Sequence, residues 1–470
     1  MIFSSIEFFV LLGTLLVLLR FIRNEDWRRN VLLVASYVSY GWWDWRFCFL
    51  IWTTTTIDYI AGRELERLTN ERHRRMWLVS SLVANLGMLF YFKYTNFFLD
   101  SLRPLLAHAG IHVPFLHIVL PVGISFFTFH SMSYTIDVYW RKLPATKSYR
   151  DFLLFVAFFP QLVAGPIVRG SQMLPQLAAD REHPILGENV RRGAELFLKG
   201  FVKKVLFADS LAMCADPVFA HPHAFDSLSV WIGVLAYTGQ IYYDFSGYTD
   251  MALGIGRVFG FELPVNFRHP YLSRTVTEFW RRWHISLSTW LRDYLYIPLG
   301  GNRHGRARTY FNLLATMLLG GLWHGASWTF VAWGALHGVG LMADKWRLER
   351  QHRAADDFGG PVAQLLGWAG TFLFVVIGWV FFRAATFGDA WIVLRKLAFV
   401  GGPGAAWAYV PALVALALGV LAHVAVKLRH ERELGFDFRR PLAWTAAIAA
   451  LIMVLFFSPF SSNPFIYFQF

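Results

Sequence analysis

The chain has 470 residues, 56% of them hydrophobic and 16% charged, with 45 Phe, 20 Trp and 18 Tyr and a formal charge of +13. A soluble domain carries about 25% charged residues, and a single core could not hide this much apolar surface. The hydrophobicity excludes a disordered chain and the absence of a repeat excludes a fibre, which leaves a polytopic membrane protein whose positive charge needs a place.

A hydrocarbon core about 30 Å thick takes roughly 20 apolar residues in a helix. The first span is expected over 2–19. Arg20 and Arg23 follow it rather than precede it, and no small-residue cleavage site intervenes, so it reads as an uncleaved span and not a signal peptide. Residues 31–60 are too many for one crossing, and their centre, Gly41-Trp42-Trp43-Asp44-Trp45, reads as an aromatic turn between two short helices at headgroup level. Spans are expected at 76–99 and 115–140. Segment 151–168 is interrupted by Pro160, Gly165 and Pro166 and reads as re-entrant, a shape tolerated where protein or water satisfies the backbone. Further spans follow at 228–245, 362–382, 407–426 and 442–457, with shorter or Gly-rich segments at 248–261, 309–323 and 327–343. The expectation is about ten to thirteen membrane segments in a single domain, 1–470.

Lys and Arg gather in 20–29, 63–75, 141–150, 169–204, 268–308, 345–353 and 427–440, whereas 100–118 and 212–229 are nearly free of them. The positive-inside rule then puts the basic loops in the cytoplasm and both termini outside, with SSNPFIYFQF ending the chain at the outer interface. Cys48 and Cys214 lie far apart and make neither a disulfide framework nor a metal spacing. GIGRVFG at 254–260 follows no strand and suits helix packing better than a dinucleotide. GGNRHG at 300–305 reads as a turn with cations, and His221 and His223 lack further metal-ligand spacing, so no metal is expected. Lys93, near the end of its span, would snorkel to the interface. Glu7 and Asp58 sit within apolar runs with no assigned role.

Two stretches point to chemistry. Residues 266–308 hold eight Arg, no Lys, and two acids, Glu278 and Asp293, for a charge of +6. Phe279, Trp283, Leu287, Trp290, Leu291, Tyr294 and Leu295 follow helical spacing and predict an amphipathic helix at the cytoplasmic face. A lipid-facing basic loop would have the same composition, but the planar fork of Arg suits bidentate phosphate binding, and His284 lies inside the tract. No nucleic-acid motif accompanies the charge. The second stretch is LLGGLWHGASW at 318–328, where His324 is enclosed by Gly320, Gly321 and Gly325. A His within a membrane segment is costly and marks a candidate site, and glycines let a ligand or another helix approach it. His337 is thirteen residues further on, about 20 Å along a continuous helix, and reads as packing.

LPVGISFFTFHSMSYTIDVYW (120–140), FFPQLVAGPIVR (158–169), YYDFSGYTDMALG (242–254), VNFRHPYLSRTVTEFWRRWHISLSTWLRDYLYIPLGG (265–301), LLGGLWHGASWTFVAWGALHG (318–338) and the terminal FIYFQF carry a resemblance. With them the chain resembles the bacterial membrane-bound O-acyltransferase family, in particular its alginate O-acetylation branch, over essentially its whole length and most densely from 119 to 345. The resemblance implies an all-α polytopic membrane protein, a ring of transmembrane and re-entrant helices around a central funnel. It places the family's active-site histidine at His324 and its second polar site at His284. It implies acetyl-CoA as donor substrate, no bound cofactor, and acetyl movement across the bacterial inner membrane for an exported polysaccharide such as alginate, through a periplasmic acetyltransferase partner. On that basis Arg281, Arg282 and Arg292, with Arg303, Arg306 and Arg308, are expected to hold the phosphates of coenzyme A, and Trp280 and Trp283 to wall the thioester entrance. D-alanyl transfer to a cell-wall polymer is the near alternative. A non-enzymatic transporter or secretion scaffold is the distant one, and it predicts paired intramembrane acids and bases.

Overall fold

The structure is a computed structural model that describes residues 1, 3–111, 116–179, 187–351, 359–429, 435–457 and 465–466. It is helical throughout; among the described residues the β contacts reduce to one isolated parallel bridge between Phe225 and Ala405. The chain divides into two compact units, Met1–Ala194 with Ala252–Pro264, and Glu195–Met251 with Val265–Phe470.

In the first unit α1 (Ile6–Phe21) is followed by α2 (Glu25–Gly41) and α3 (Arg46–Arg67). The Asn24 side chain accepts a hydrogen bond from Trp27 N at 3.1 Å, satisfying one of the orphan donors at the start of α2. The turn between α2 and α3 presents Trp42, Trp43 and Trp45 exposed, with Asp44 ion-paired to Arg46 at 2.6 Å, which is the aromatic hairpin expected over 31–60. Helix α4 (Glu71–Leu89) continues through a π-helical stretch, Phe90–Tyr94, into α5 (Thr95–His108). Lys93 therefore sits inside a long helical path rather than near its end, and its Nζ donates to Ser125 Oγ at 3.4 Å instead of snorkelling away.

The expected span at 115–140 is shorter: α6 (Ile124–Tyr139) starts after Gly123, which adopts φ +76, and is buried from Ile124 through Val138. A helix buried all round lies in a protein core rather than against lipid. Asp58 of α3 is fully buried, and its carboxylate accepts from Ser81 and Asn85 of α4 and Ser131 of α6. Segment 151–168 is broken as its prolines and glycine suggest: α7 (Tyr149–Ala157), a bend at Phe158, a four-residue α8 (Phe159–Leu162), then non-helical chain before α9 (Gly170–Ala178). The stretch is buried, so protein surrounds its irregular backbone.

Helix α10 (Gly187–Val202) precedes α11 (Asp209–Ala220) and α12 (Ser227–Val258). The segments expected at 228–245 and 248–261 are one helix of 32 residues, α12. Gly247 does not break it, because its role is close approach: a Cβ there would lie 2.8 Å from Gly200 O of α10.

In the second unit the helix expected across Phe279–Leu295 is two short ones, α13 (Val276–Arg282) and α14 (Ile285–Leu291), followed by a π-helical turn at Arg292–Tyr296. The break falls on His284, whose backbone is left-handed at φ 43, ψ 54. Helix α15 (Gly305–His324) stops at His324, because Gly325 is extended, and α16 (Trp328–Gln351) folds back along it. Gly321 of α15 and Gly334 of α16 meet without side chains between them; a Cβ on Gly321 would be 3.1 Å from Gly334 Cα. His324 and His337 are therefore on two packed helices, not about 20 Å apart along one. The chain continues through α17 (Pro361–Arg383), α18 (Phe387–Leu397), α19 (Val410–Leu428) and α20 (Pro441–Phe457).

Three helical stretches among the described residues are long and apolar enough to cross a membrane, Glu71–His108, Pro361–Arg383 and Val410–Leu428, and Pro441–Val454 is a shorter apolar one. The start of the first expected span at Ile2 lies outside the described residues, as does most of the terminal SSNPFIYFQF.

Candidate functional site

The site lies in the second unit and is built where two helices end. Thr275 opens α13 by accepting from Glu278 N at 3.0 Å. The Glu278 carboxylate in turn accepts from Arg274 N at 2.8 Å and pairs with Arg282 at 2.8 Å and Arg274 at 3.3 Å. Two of the eight arginines of the tract are thus engaged with a carboxylate that caps the helix. After Trp283 the chain turns through His284 and is held there by a neighbouring segment. Arg268 N donates to Arg282 O and Ile285 N to Asn266 O, both at 2.9 Å. A left-handed non-glycine residue costs on the order of 1–3 kcal/mol and persists only where its surroundings over-determine it.

Asn266 supplies much of that determination. Its Oδ1 accepts from Ser286 N at 3.1 Å and Ser286 Oγ at 2.9 Å, and lies 3.2 Å from His284 Nδ1. The side chain of Asn266 therefore satisfies a first-turn N–H of α14 that its own N-cap, His284, leaves unserved. His284 is completely buried, and Phe245 stands edge-on to its ring at 4.7 Å and 89°.

His324 is also buried, at the last position of α15. Its ring centre lies 6.4 Å from that of His284. Trp323, Trp333 and Phe382 surround it at 5.0, 5.1 and 5.2 Å. Trp280 packs on Trp333 at 5.7 Å and donates from Nε1 to His337 Nδ1 at 3.2 Å, which makes His337 part of the packing, as expected. Trp283 packs on Trp379 at 5.0 Å and on Phe279 at 5.6 Å. The two histidines thus come together inside an aromatic enclosure to which both tryptophans belong, an apolar surround that strengthens any polar interaction made within it.

The arginines divide. Arg281 and Arg292 are exposed and Arg282 is half-buried against Glu278. Arg292 pairs with Asp293 at 2.7 Å, and this hydrogen bond raises its pKa above the ordinary guanidinium value. Arg303 and Arg308 reach backbone carbonyls of 297–300, and Arg306 pairs with Glu349 at 3.0 Å. The tract is a basic surface beside the enclosure, with part of its charge already committed within the fold.

Asn266, Trp333 and Phe382 went unremarked as site residues in the sequence. For Asn266 the available signal was its position within VNFRHP, in the same motif as His284 and 18 residues before it.

A sequence profile of the membrane-bound O-acyltransferase family matches residues 140–387, more than half of the chain. The chain is 47% identical over 397 residues to the probable alginate O-acetylase of Pseudomonas aeruginosa, covering 83% of this chain and 74% of the relative. It is 40% identical to the probable alginate O-acetylase of Pseudomonas putida over the whole of both chains. A peptidoglycan O-acetyltransferase of Helicobacter pylori is 36% identical over 410 residues, 82% of this chain and 76% of that one.

Proposed function

The chain belongs to the membrane-bound O-acyltransferase family, and on that premise we propose that it takes an acetyl group from cytoplasmic acetyl-CoA and delivers it across the bacterial inner membrane for O-acetylation of an exported polysaccharide such as alginate. The observation that carries the mechanism is the pair of buried imidazoles with ring centres 6.4 Å apart, each at a helix end inside an aromatic enclosure.

Acyl transfer from a thioester to a hydroxyl needs a base for the hydroxyl proton, stabilisation of the oxyanion and a positioned donor. His324 takes the proton, the general-base role that a neutral imidazole most often fills. His284, or a neighbouring backbone amide, polarises the thioester carbonyl. Arg281, Arg282 and Arg292 hold the donor's phosphates, and Trp280 and Trp283 wall its thioester end. The exposure of Arg281 and Arg292 supports this assignment, since a soluble donor must reach them. The basic loops face the cytoplasm and the N-terminus the periplasm, where an acetyltransferase partner receives the group and decorates the polymer.

Donor identity is the decisive test. Membranes carrying the protein are incubated in parallel with radiolabelled acetyl-CoA and with a D-alanyl carrier protein, and label is followed into polysaccharide and co-expressed periplasmic proteins. Label from acetyl-CoA alone is expected. Transfer from the carrier protein, or from neither donor while polymer export still depends on the chain, would assign it to D-alanylation or to a transport scaffold.

A further inference from the structure

His284 is anchored on one side only. Nδ1 lies 3.2 Å from Asn266 Oδ1, while Nε2 has no hydrogen-bond partner among the described residues. The orientation of the Asn266 amide is settled by chemistry. A backbone N–H can only donate, so the Asn266 atom 3.1 Å from Ser286 N must be the oxygen. That oxygen is an acceptor toward every neighbour it has, and Nδ1 of His284 must meet it with a proton. In neutral His284 the proton is on Nδ1 and the lone pair is on Nε2, at the opposite edge of the ring.

We propose that Asn266 is a positioning residue that fixes the tautomer of His284, so that Nε2 is the nitrogen at which His284 gains and loses its proton. The proposal rests on the acyl-transfer reading above and extends it. During transfer the ester C–O bond forms as the thioester C–S bond breaks, and the hydroxyl proton must finish on the departing sulfur. With Nδ1 already committed to Asn266, any proton that reaches His284 on that path arrives at Nε2. Once His324 has taken the hydroxyl proton and it has passed to Nε2, Nε2–H is a donor to the developing oxyanion, the carbonyl being polarised until then by a neighbouring backbone amide; releasing that proton to the sulfur restores the starting tautomer. Without Asn266 the ring is free to carry its proton on Nε2 from the outset, and the acceptor position is lost. Ser286 completes the device, since its N–H and Oγ–H hold Asn266 in place.

Nitrogen NMR of the full chain with labelled histidine, assigned by loss of one signal in His284→Gln, reads the tautomer directly. The native protein is expected to show protonated Nδ1 and unprotonated Nε2; the reverse pattern overturns the proposal. In acetyl transfer, Asn266→Leu is expected to lower kcat about 10- to 100-fold, the size of effect seen when the partner that orients a metal-bound histidine is removed, with KM for the donor unchanged. Asn266→Asp keeps an acceptor for all three donors and should return kcat toward the native value. A role confined to capping α14 would reduce the yield of folded protein while leaving kcat per folded molecule and the tautomer unaltered, and that result overturns the proposal. If Asn266→Leu does not accumulate, the native spectrum and Asn266→Asp decide. A native protein that transfers no acyl group defeats the functional reading instead, whatever tautomer it displays.

Discussion

Asp58 and His284 are both ionisable groups buried without solvent, and their surroundings differ in kind. Both carboxylate oxygens of Asp58 are met by donors from α4 and α6, so the group ties three helices of its unit together and has nothing left to offer. His284 is held at one nitrogen by Asn266 and has no partner among the described residues at the other. A completed polar network specifies packing, whereas a buried nitrogen left unmet beside a second imidazole calls for a different explanation.

Substitutions separate the two kinds of site. His284→Ala should have the largest effect, lowering turnover about 10²- to 10⁴-fold with near-native yield in membranes; a variant that loses yield and keeps turnover would move His284 into the class of Asp58. Asp58→Ala should do the opposite. It removes the acceptor of the buried Ser81 and Ser131 hydroxyls and leaves Asn85 only the Ser81 carbonyl, at about 1–3 kcal/mol for each group left unmet. Thermal unfolding in detergent should report that loss while turnover per folded molecule holds. Gly321→Ala would push a methyl against Phe330 O and Gly334, forcing α15 and α16 apart at a cost of about 1–3 kcal/mol. Because His324 lies three residues on, turnover should fall with stability here, and a melting curve paired with an assay would place this site between the two extremes. Arg281→Gln and Arg292→Gln should be mildest, each raising the donor KM by an amount worth about 1 kcal/mol or less, as expected of exposed charges, and the effect should fade with added salt. An equal rise in KM at high salt would mean that these side chains do not meet phosphate from solvent.

Much of this was legible from residue types. The apolar excess marked the membrane class, and Trp42, Trp43 and Trp45 marked the turn between α2 and α3. His324 stood out because glycines flank it, and His284 because it interrupts an arginine and tryptophan tract. What stayed hidden depends on contacts between distant residues. A single left-handed residue leaves no trace in hydrophobic periodicity, so the helix expected over Phe279–Leu295 concealed its break, and no glycine marked His284 as the turning point. The segments expected at 228–245 and 248–261 proved to be one helix, and the partner of Gly247 in it, Gly200, is far away in sequence. Asn266 resembled any loop asparagine until Ser286 and His284 were seen to share its oxygen. For the same reason Asp58 had no assigned role: its three partners come from two other helices.

Acyl transfer is the role proposed for the paired imidazoles. It is tested most directly by purified native protein and His324→Ala in proteoliposomes, measuring coenzyme A binding and the fate of a radiolabelled acetyl thioester in the same samples. Equal binding is expected, with transfer to a hydroxyl acceptor by the native protein alone. Native-rate transfer by His324→Ala would contradict it.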